Sequence, residues 1–346
     1  MNPNPTIGVF DSGFGGLTVL RALLPLIPNA NYIYLGDTAR LPYGSKSHET
    51  IARYAVSSAR FLHEQGAELL VIACNTATAL ALEDIQLALP IPVIGVVEPG
   101  AQAANRVPHV RDGLIVANMG VGNPPLSAEA TKDDSILTLS LPKGKNPRIS
   151  LEPPQPSIQP TKDNGVILSG AKNPRILPEA PKTPPKNHVL VLATTATVQS
   201  HAYTHALNAL GLEATEKACP LLVPLVEEGW INHPVTDEVL KIYLTEALAQ
   251  APAATTLLLG CTHYPLLEPA IHRTLASLGH PLTIIDSAQA TAQAVAAHPA
   301  VAANPTQRKT TSCIFYATDS VEKFQRLGSS FLGQPVSDVT LIDLGG

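Results

Sequence analysis

Along the chain, short unbroken runs of apolar residues alternate with stretches in which apolar residues recur every three to four positions. The first run is Thr6-Ile7-Gly8-Val9-Phe10; after Asp11-Ser12-Gly13, the residues Leu17, Leu20, Leu23, Leu24 and Ile27 repeat at helical spacing as far as Pro28. This pattern predicts a strand, a tight turn and a helix opening near Gly15. Asn31 to Leu35 predicts a second strand that leads into a loop over residues 36–47, and Glu49 to Gln65 predicts a helix stopped by Gly66. Leu69 to Ala73 is apolar at every position, the habit of a strand buried on both faces in a parallel sheet covered by helices. Pro92 to Val97, Val189 to Ala193, Thr256 to Leu259, Leu282 to Ile285 and Ser312 to Tyr316 extend the strand series, with helices between them. The fold class is α/β with open sheets.

One stretch breaks the alternation. Residues 123–188 hold 13 of the 32 prolines and no Phe, Tyr or Trp, so they cannot build a core of their own. The string Lys-Asn-Pro-Arg-Ile occurs in it twice, from Lys145 and from Lys172, and two copies are too few for a stacked solenoid. The stretch reads as a disordered insertion, with an extended proline-rich docking segment as the alternative. Just before it, Gly113 to Met119 also reads as a strand and competes with Val189 to Ala193 for one sheet position.

The 346 residues, 45% hydrophobic and 15% charged, suffice for one large or two ordinary domains. A net charge of -5 argues against a protein that grips nucleic acid by neutralising phosphates. The first residues, Met1-Asn2-Pro3-Asn4-Pro5, have neither a basic nor an apolar leader region, and no apolar run reaches membrane-spanning length. The expected location is the cytoplasm, with no membrane partner. Four cysteines, at 74, 219, 261 and 313, are too few for a disulfide framework in so long a chain.

In open α/β sheets ligands sit beyond the carboxyl ends of the strands, and there the sequence repeats itself. Val71-Ile72-Ala73-Cys74-Asn75-Thr76 parallels Leu258-Leu259-Gly260-Cys261-Thr262-His263: an apolar strand, a small residue, a cysteine and a hydrogen-bonding pair. There is no C-x-x-C, which disfavours a redox disulfide, and no recognised metal-ligand spacing. Inverting a stereocentre by proton transfer needs a base on one face of a carbon and an acid on the other, with the roles exchanged in reverse. Two thiols suit this task, because a free thiol has a pKa of about 8.5 and a neighbouring acid or base can set its protonation state.

These residues carry a resemblance. Asp11-Ser12-Gly13-Phe14-Gly15-Gly16-Leu17-Thr18-Val19, Pro42-Tyr43-Gly44, Ala73-Cys74-Asn75-Thr76-Ala77, Thr194 with Thr197, Ala218-Cys219-Pro220 and Gly260-Cys261-Thr262-His263-Tyr264-Pro265-Leu266-Leu267 resemble, in order, the motif series of the glutamate racemase family. The resemblance spans the chain apart from the insertion. It implies cofactor-independent interconversion of L- and D-glutamate, without pyridoxal phosphate or metal, supplying D-glutamate for peptidoglycan. It also implies two similar open-sheet α/β domains with the active site in the cleft between them. The first would comprise residues 1–98 with 284–346, and the second residues 99–283, including the insertion. A monomer and a homodimer are both compatible with this.

By the same resemblance, Cys74 and Cys261 are the acid/base thiols and Asp11 and His263 assist them. Asp11, Ser12, Tyr43, Gly44, Asn75, Thr76, Thr194, Thr197, Thr262 and His263 contact the substrate, and Asp37 and Glu227 stand behind them. Taken alone, each residue has a plainer reading. Asp11 can be a helix N-cap, His263 a core histidine, Pro42-Tyr43-Gly44 a turn, Thr194 and Thr197 ordinary strand-end residues, and Asp37 and Glu227 solvated charges. The Gly13 to Gly16 turn offers backbone amides as an anion site or is simply a strand-to-helix turn. Cys219 and Cys313 read as structural. The insertion joins the amino end of the strand Val189 to Ala193, opposite the cleft, and is expected to spare catalysis. Other functions compatible with the motifs are an aspartate or hydantoin racemase, a non-catalytic binding protein and a thiol-redox protein; Cys261-Thr262-His263 favours glutamate.

Overall fold

Strands β1 (Thr6–Asp11), β2 (Asn31–Gly36) and β3 (Leu69–Ile72) are buried along almost their whole length, because helices cover both faces of the sheet they form. The computed structural model describes residues 4–107, 109–111, 114–116, 187–302 and 311–345, so the proline-rich residues 123–186 lie outside it. Helix α1 (Leu17–Leu26) follows β1, α2 (His48–Glu64) follows β2, and α3 (Asn75–Ala88) follows β3. The Ser47 side chain caps α2 by accepting the Thr50 amide, and Gly66, in the left-handed region at φ 97°, turns the chain out of it. Strand β4 (Val93–Gly95) is shorter than expected, because α4 (Val97–Asn105) already begins at Val97.

The competition for the sheet position is resolved by pairing. Strands β5 (His109–Arg111) and β6 (Leu114–Val116) form a separate antiparallel pair, while β7 (His188–Ala193) occupies an interior place in a parallel sheet. Val189 to Ala193 are fully buried, as a strand with neighbours on both sides and helices on both faces requires. After β7 come α5 (Thr195–Ser200), α6 (Ala202–Ala209), β8 (Glu213–Ala218), α7 (Leu222–Glu227), α8 (Pro234–Gln250), β9 (Ala254–Gly260), α9 (Glu268–Ser277) and β10 (Thr283–Asp286). The sheet order is β10-β9-β7-β8, parallel throughout.

The chain then returns. Helix α10 (Ser287–Ala297) packs against α1 and α4, and α11 (Pro299–Ala302) follows it. Strand β11 (Cys313–Ala317), helix α12 (Val321–Leu332) and strand β12 (Val339–Leu341) complete the first sheet in the order β12-β11-β2-β1-β3-β4, also parallel. The apolar runs do not announce β8 and β12. Both are edge strands, and β8 reads Glu-Ala-Thr-Glu-Lys-Ala with most of its residues only half-buried. Cys313 is likewise half-buried rather than core. One apolar cluster runs through both sheets, taking Ile7, Val9 and Val71 from one and Leu190, Leu257 and Leu259 from the other. Among the described residues, no helix is long and apolar enough to cross a membrane.

Candidate active site

Parallel strands deliver their polar exit residues to one edge. Phe10 is level with Ile72 in the first sheet, and Ala193 with Gly260 in the second, so Asp11 stands near Cys74 and Thr194 near Cys261. Residues from both edges line one cavity of about 520 Å³, and both thiols open onto it. From the first half it takes Ser12, Tyr43, Gly44, Asn75 and Thr76; from the second, Thr194, Thr262, His263 and Glu227.

Cys74 caps α3: the Ala77 amide donates to its Sγ at 3.4 Å, and its thiol donates to Ser12 Oγ at 3.4 Å. Burial pushes the thiol up to about 11, helped by the nearby Asp11 carboxylate and opposed by Ser12 and by the amides of Ala77 and Ser12. Burial raises the Cys261 thiol well above its ordinary value too; the His263 amide opposes this, and the charges of Cys74 and Asp11 add to it. That each thiol's surroundings include Asp11, and that Cys74 acts on Cys261, places all three in one electrostatic neighbourhood.

Beside Cys261 stands a relay. Its Sγ lies 3.9 Å from His263 Nδ1, and His263 Nε2 lies 3.3 Å from Glu227 Oε1. Glu227 as acceptor assigns the proton to Nε2 in the neutral ring, which leaves the Nδ1 lone pair to the thiol and to Thr262 Oγ1, 3.5 Å away. The Phe331 ring packs edge-on at 4.9 Å and holds the imidazole from a third side. Burial pushes the Glu227 carboxyl up, yet the hydrogen bond from His263, its charge when protonated, and the charge of Lys323 outweigh this and hold the group below the ordinary glutamate value. The Lys323 ammonium, on α12, lies 3.7 Å from Glu227 Oε2 and lines the cavity. Neither the motif series nor periodicity singles out Lys323, because it is one polar residue on an amphipathic helix.

Several plainer readings fail on geometry. Asp11 ends β1 and is fully buried, whereas the N-cap position of α1 is Gly16, with no side-chain cap. Its Oδ2 accepts the Gly13 amide at 2.8 Å, and the Gly16 amide also serves it. Those amides are therefore spent on Asp11, and of this turn only Ser12 reaches the cavity, so the turn is not an open anion site. Burial raises the Asp11 carboxyl against the pull of His263 and these amides. Asp37 is not a solvated charge: it is fully buried and accepts from Arg40 Nε at 2.8 Å, Tyr43 OH at 2.5 Å and Thr318 Oγ1 at 3.0 Å. Tyr43 thus turns its hydroxyl toward Asp37, and only the rest of the residue is available to a ligand. Among the described residues, no group of three or more His, Cys, Asp and Glu side chains is placed to hold an ion.

The two halves meet in a triangle of hydroxyls. Thr76 Oγ1 is 3.0 Å from Thr194 Oγ1 and 3.3 Å from Thr197 Oγ1, and Thr194 and Thr197 are 3.0 Å apart. Thr194 and Thr76 face the cavity, and Thr197 stands buried behind them. Gly15 lets the first loop pass the second half: a Cβ there would overlap Thr262 Oγ1 and lie 2.5 Å from His263 Nδ1.

Comparison with known proteins identifies the family. The family described as Asp/Glu/Hydantoin racemase matches residues 7–140 and 177–295, leaving residues 141–176 between its two segments. A glutamate racemase of Koribacter versatilis is 42% identical, over 99% of this chain and 98% of its own, and one of Aquifex aeolicus is 35% identical, over 95% of each. Among solved structures, the glutamate racemase of Thermus thermophilus in complex with beta-chloro-D-alanine superposes with a TM-score of 0.69 at 32% identity, covering 99% of each chain. That of Francisella tularensis in complex with D-glutamate gives 0.70 at 27% identity, covering 99% of this chain and 98% of its own. By motif order, fold and full-length similarity, the chain belongs to the Asp/Glu/hydantoin racemase family.

Proposed function

We propose that this protein is a cofactor-independent glutamate racemase of the cytoplasm, interconverting L- and D-glutamate and so supplying D-glutamate for peptidoglycan. The observation that carries the reading is the pair Cys74 and Cys261, delivered by different sheets to one cavity, each with its own polar partner.

The thiolate on one side removes the α-proton and becomes a thiol, while the thiol on the opposite side gives its proton to the other face of the carbon and becomes a thiolate. The product is the enantiomer, with the two sulfurs' protonation states exchanged. A buried thiolate is costly, so each sulfur needs help. For Cys261 we assign His263 as the proton acceptor, with Glu227 fixing its tautomer; for Cys74 we assign Asp11 as the neighbouring carboxylate and Ser12 as a hydrogen-bonding partner. The hydroxyls of Ser12, Thr76, Thr194 and Thr262, with Asn75 and the backbone at Tyr43 and Gly44, are the groups that would hold the substrate's carboxylates and ammonium. Thr197 and Asp37 act through them, by the hydroxyl triangle and by Tyr43. The domains we assign are residues 1–98 with 284–346 and residues 99–283, except that β10 (Thr283–Asp286), which pairs with β9, moves the second boundary to the end of that strand.

Incubation with L-glutamate in deuterated water, without added cofactor, tests this. Optical rotation should fall to zero with deuterium entering the α-position, and L-aspartate should not respond. Turnover of aspartate in preference to glutamate would reassign the substrate, and a titratable disulfide without α-exchange would reassign the chemistry.

A further inference from the structure

Tyr203 lies outside the motif series, yet it touches two parts of the site. On α6, it is fully buried, and its hydroxyl donates to Asn75 Oδ1 at 2.5 Å across the junction between the halves. Its ring also backs the strand that carries Cys261: a Cβ on Gly260 would lie 2.9 Å from Tyr203 Cε2. On the other side, the Gly100 backbone packs against the same ring, its Cβ position 3.5 Å from Cε1. The phenol is therefore fixed in place.

Asn75 lines the cavity, and its buried Nδ2 has no hydrogen-bond partner among the described residues. A buried unsatisfied donor is costly and rarely kept without a use. Burial holds the Tyr203 phenol far above its ordinary range, so the hydroxyl stays protonated at any working pH and acts as a donor. The amide turns its oxygen to the phenol, which leaves the NH2 on the other edge.

We infer that Tyr203 is a positioning residue: by claiming Asn75 Oδ1 it keeps Asn75 Nδ2, buried and unpaired on a residue of the cavity wall, as the hydrogen-bond donor for a substrate carboxylate. The inference rests on the racemase reading above and adds to it a residue that sets the amide's orientation only when the two halves are docked.

The test compares wild type, Tyr203→Phe, Asn75→Ala and the double variant by steady-state racemisation in both directions, with glutamate binding measured by calorimetry. Tyr203→Phe keeps the ring, so KM and Kd should rise about tenfold, the scale of one hydrogen bond to a charged group, while kcat changes far less. The double variant should be no worse than Asn75→Ala, because both changes remove the same contact. Unchanged KM and Kd in a folded Tyr203→Phe protein, or losses that add in the double variant, would overturn the proposal. If Tyr203→Phe fails to fold, Asn75→Asp decides: it keeps the acceptor for Tyr203 but replaces the donor, so affinity must fall, and unchanged affinity rejects the assignment. Binding without turnover in the wild type would refute the racemase reading alone, since the Kd comparison still reads Tyr203.

Discussion

His263 bridges Cys261 and Glu227, with Nδ1 3.9 Å from the sulfur and Nε2 3.3 Å from the carboxylate. Among the described residues Cys74 has no such relay; its neighbours are the Ser12 hydroxyl and the buried Asp11 carboxylate. The two enantiomers of the proposed substrate have equal free energy in water, but the protein meets them with unequal machinery. Equal kcat/KM in the two directions is imposed by the equilibrium constant, so the asymmetry must appear in kcat and KM separately.

Glu227→Gln tests the relay. It keeps the shape of the side chain but removes the charge that fixes the His263 tautomer and pairs with Lys323. A hydrogen bond to a charged group is worth roughly 1.5–3 kcal/mol, so kcat/KM should fall about 10- to 100-fold in both directions with little change in melting temperature. An unaltered pH profile and rate would remove Glu227 from the mechanism.

Cys74→Ala and Cys261→Ala should each lower racemisation by about 1,000-fold, within the range set by a lost acid/base group. Each variant keeps one thiol and should still exchange the α-proton of one enantiomer with deuterated water, without inversion; proton NMR of each pure enantiomer reads this directly. Near-normal racemisation by either variant would dissolve the two-thiol scheme.

Gly15→Ala puts a methyl group where the first loop passes Thr262 and His263, so both must shift from their buried places on the cavity wall. The expected result is displacement of His263, with activity lost and stability reduced by about 1–3 kcal/mol, the usual cost of overpacking. Racemisation assays with thermal melts check both parts.

Alkaline pH should destabilise the fold through its thiols. Burial raises Cys74 from its ordinary value to about 11 and Cys219 to about 12. An unfolded chain releases these protons at lower pH than the folded one, so stability is complete below about pH 9 and falls as pH rises through 11 and 12. Cys219 is fully buried and does not line the cavity. Cys219→Ala should therefore flatten the decline in melting temperature above pH 9 without a selective loss of kcat.

Removing residues 141–176, which lie between the two family-matched segments, should leave kcat unchanged. The downstream segment enters β7 at His188, while Thr194 and Thr197 follow the opposite end of that strand. Loss of turnover in a folded deletion protein would give the segment a catalytic role.

How much of this was legible in the sequence depends on the range of the interaction. Continuous apolar runs marked the interior strands β1, β3, β7 and β9, because burial on both faces leaves nothing polar to interrupt them. The echo around Cys74 and Cys261 was readable for a related reason: parallel strands put their exits at one edge, so a polar triplet after an apolar run already has an address. Edge strands β8 and β12 escaped, since an edge needs no unbroken apolar run.

Side-chain partnerships across long separations were not written locally. Sequence alone determined the α/β alternation, the two thiol motifs and the residues that resemble their assistants. Only the tertiary structure decided that the Gly13 and Gly16 amides serve Asp11, that Asp37 is buried under Tyr43, that Lys323 stands beside Glu227, and that Tyr203 claims the oxygen of Asn75. The physical reason is that a strand or helix is specified by neighbours a few positions away, whereas a hydrogen bond between residues 75 and 203 exists only after two sheets have packed and excluded water from between them.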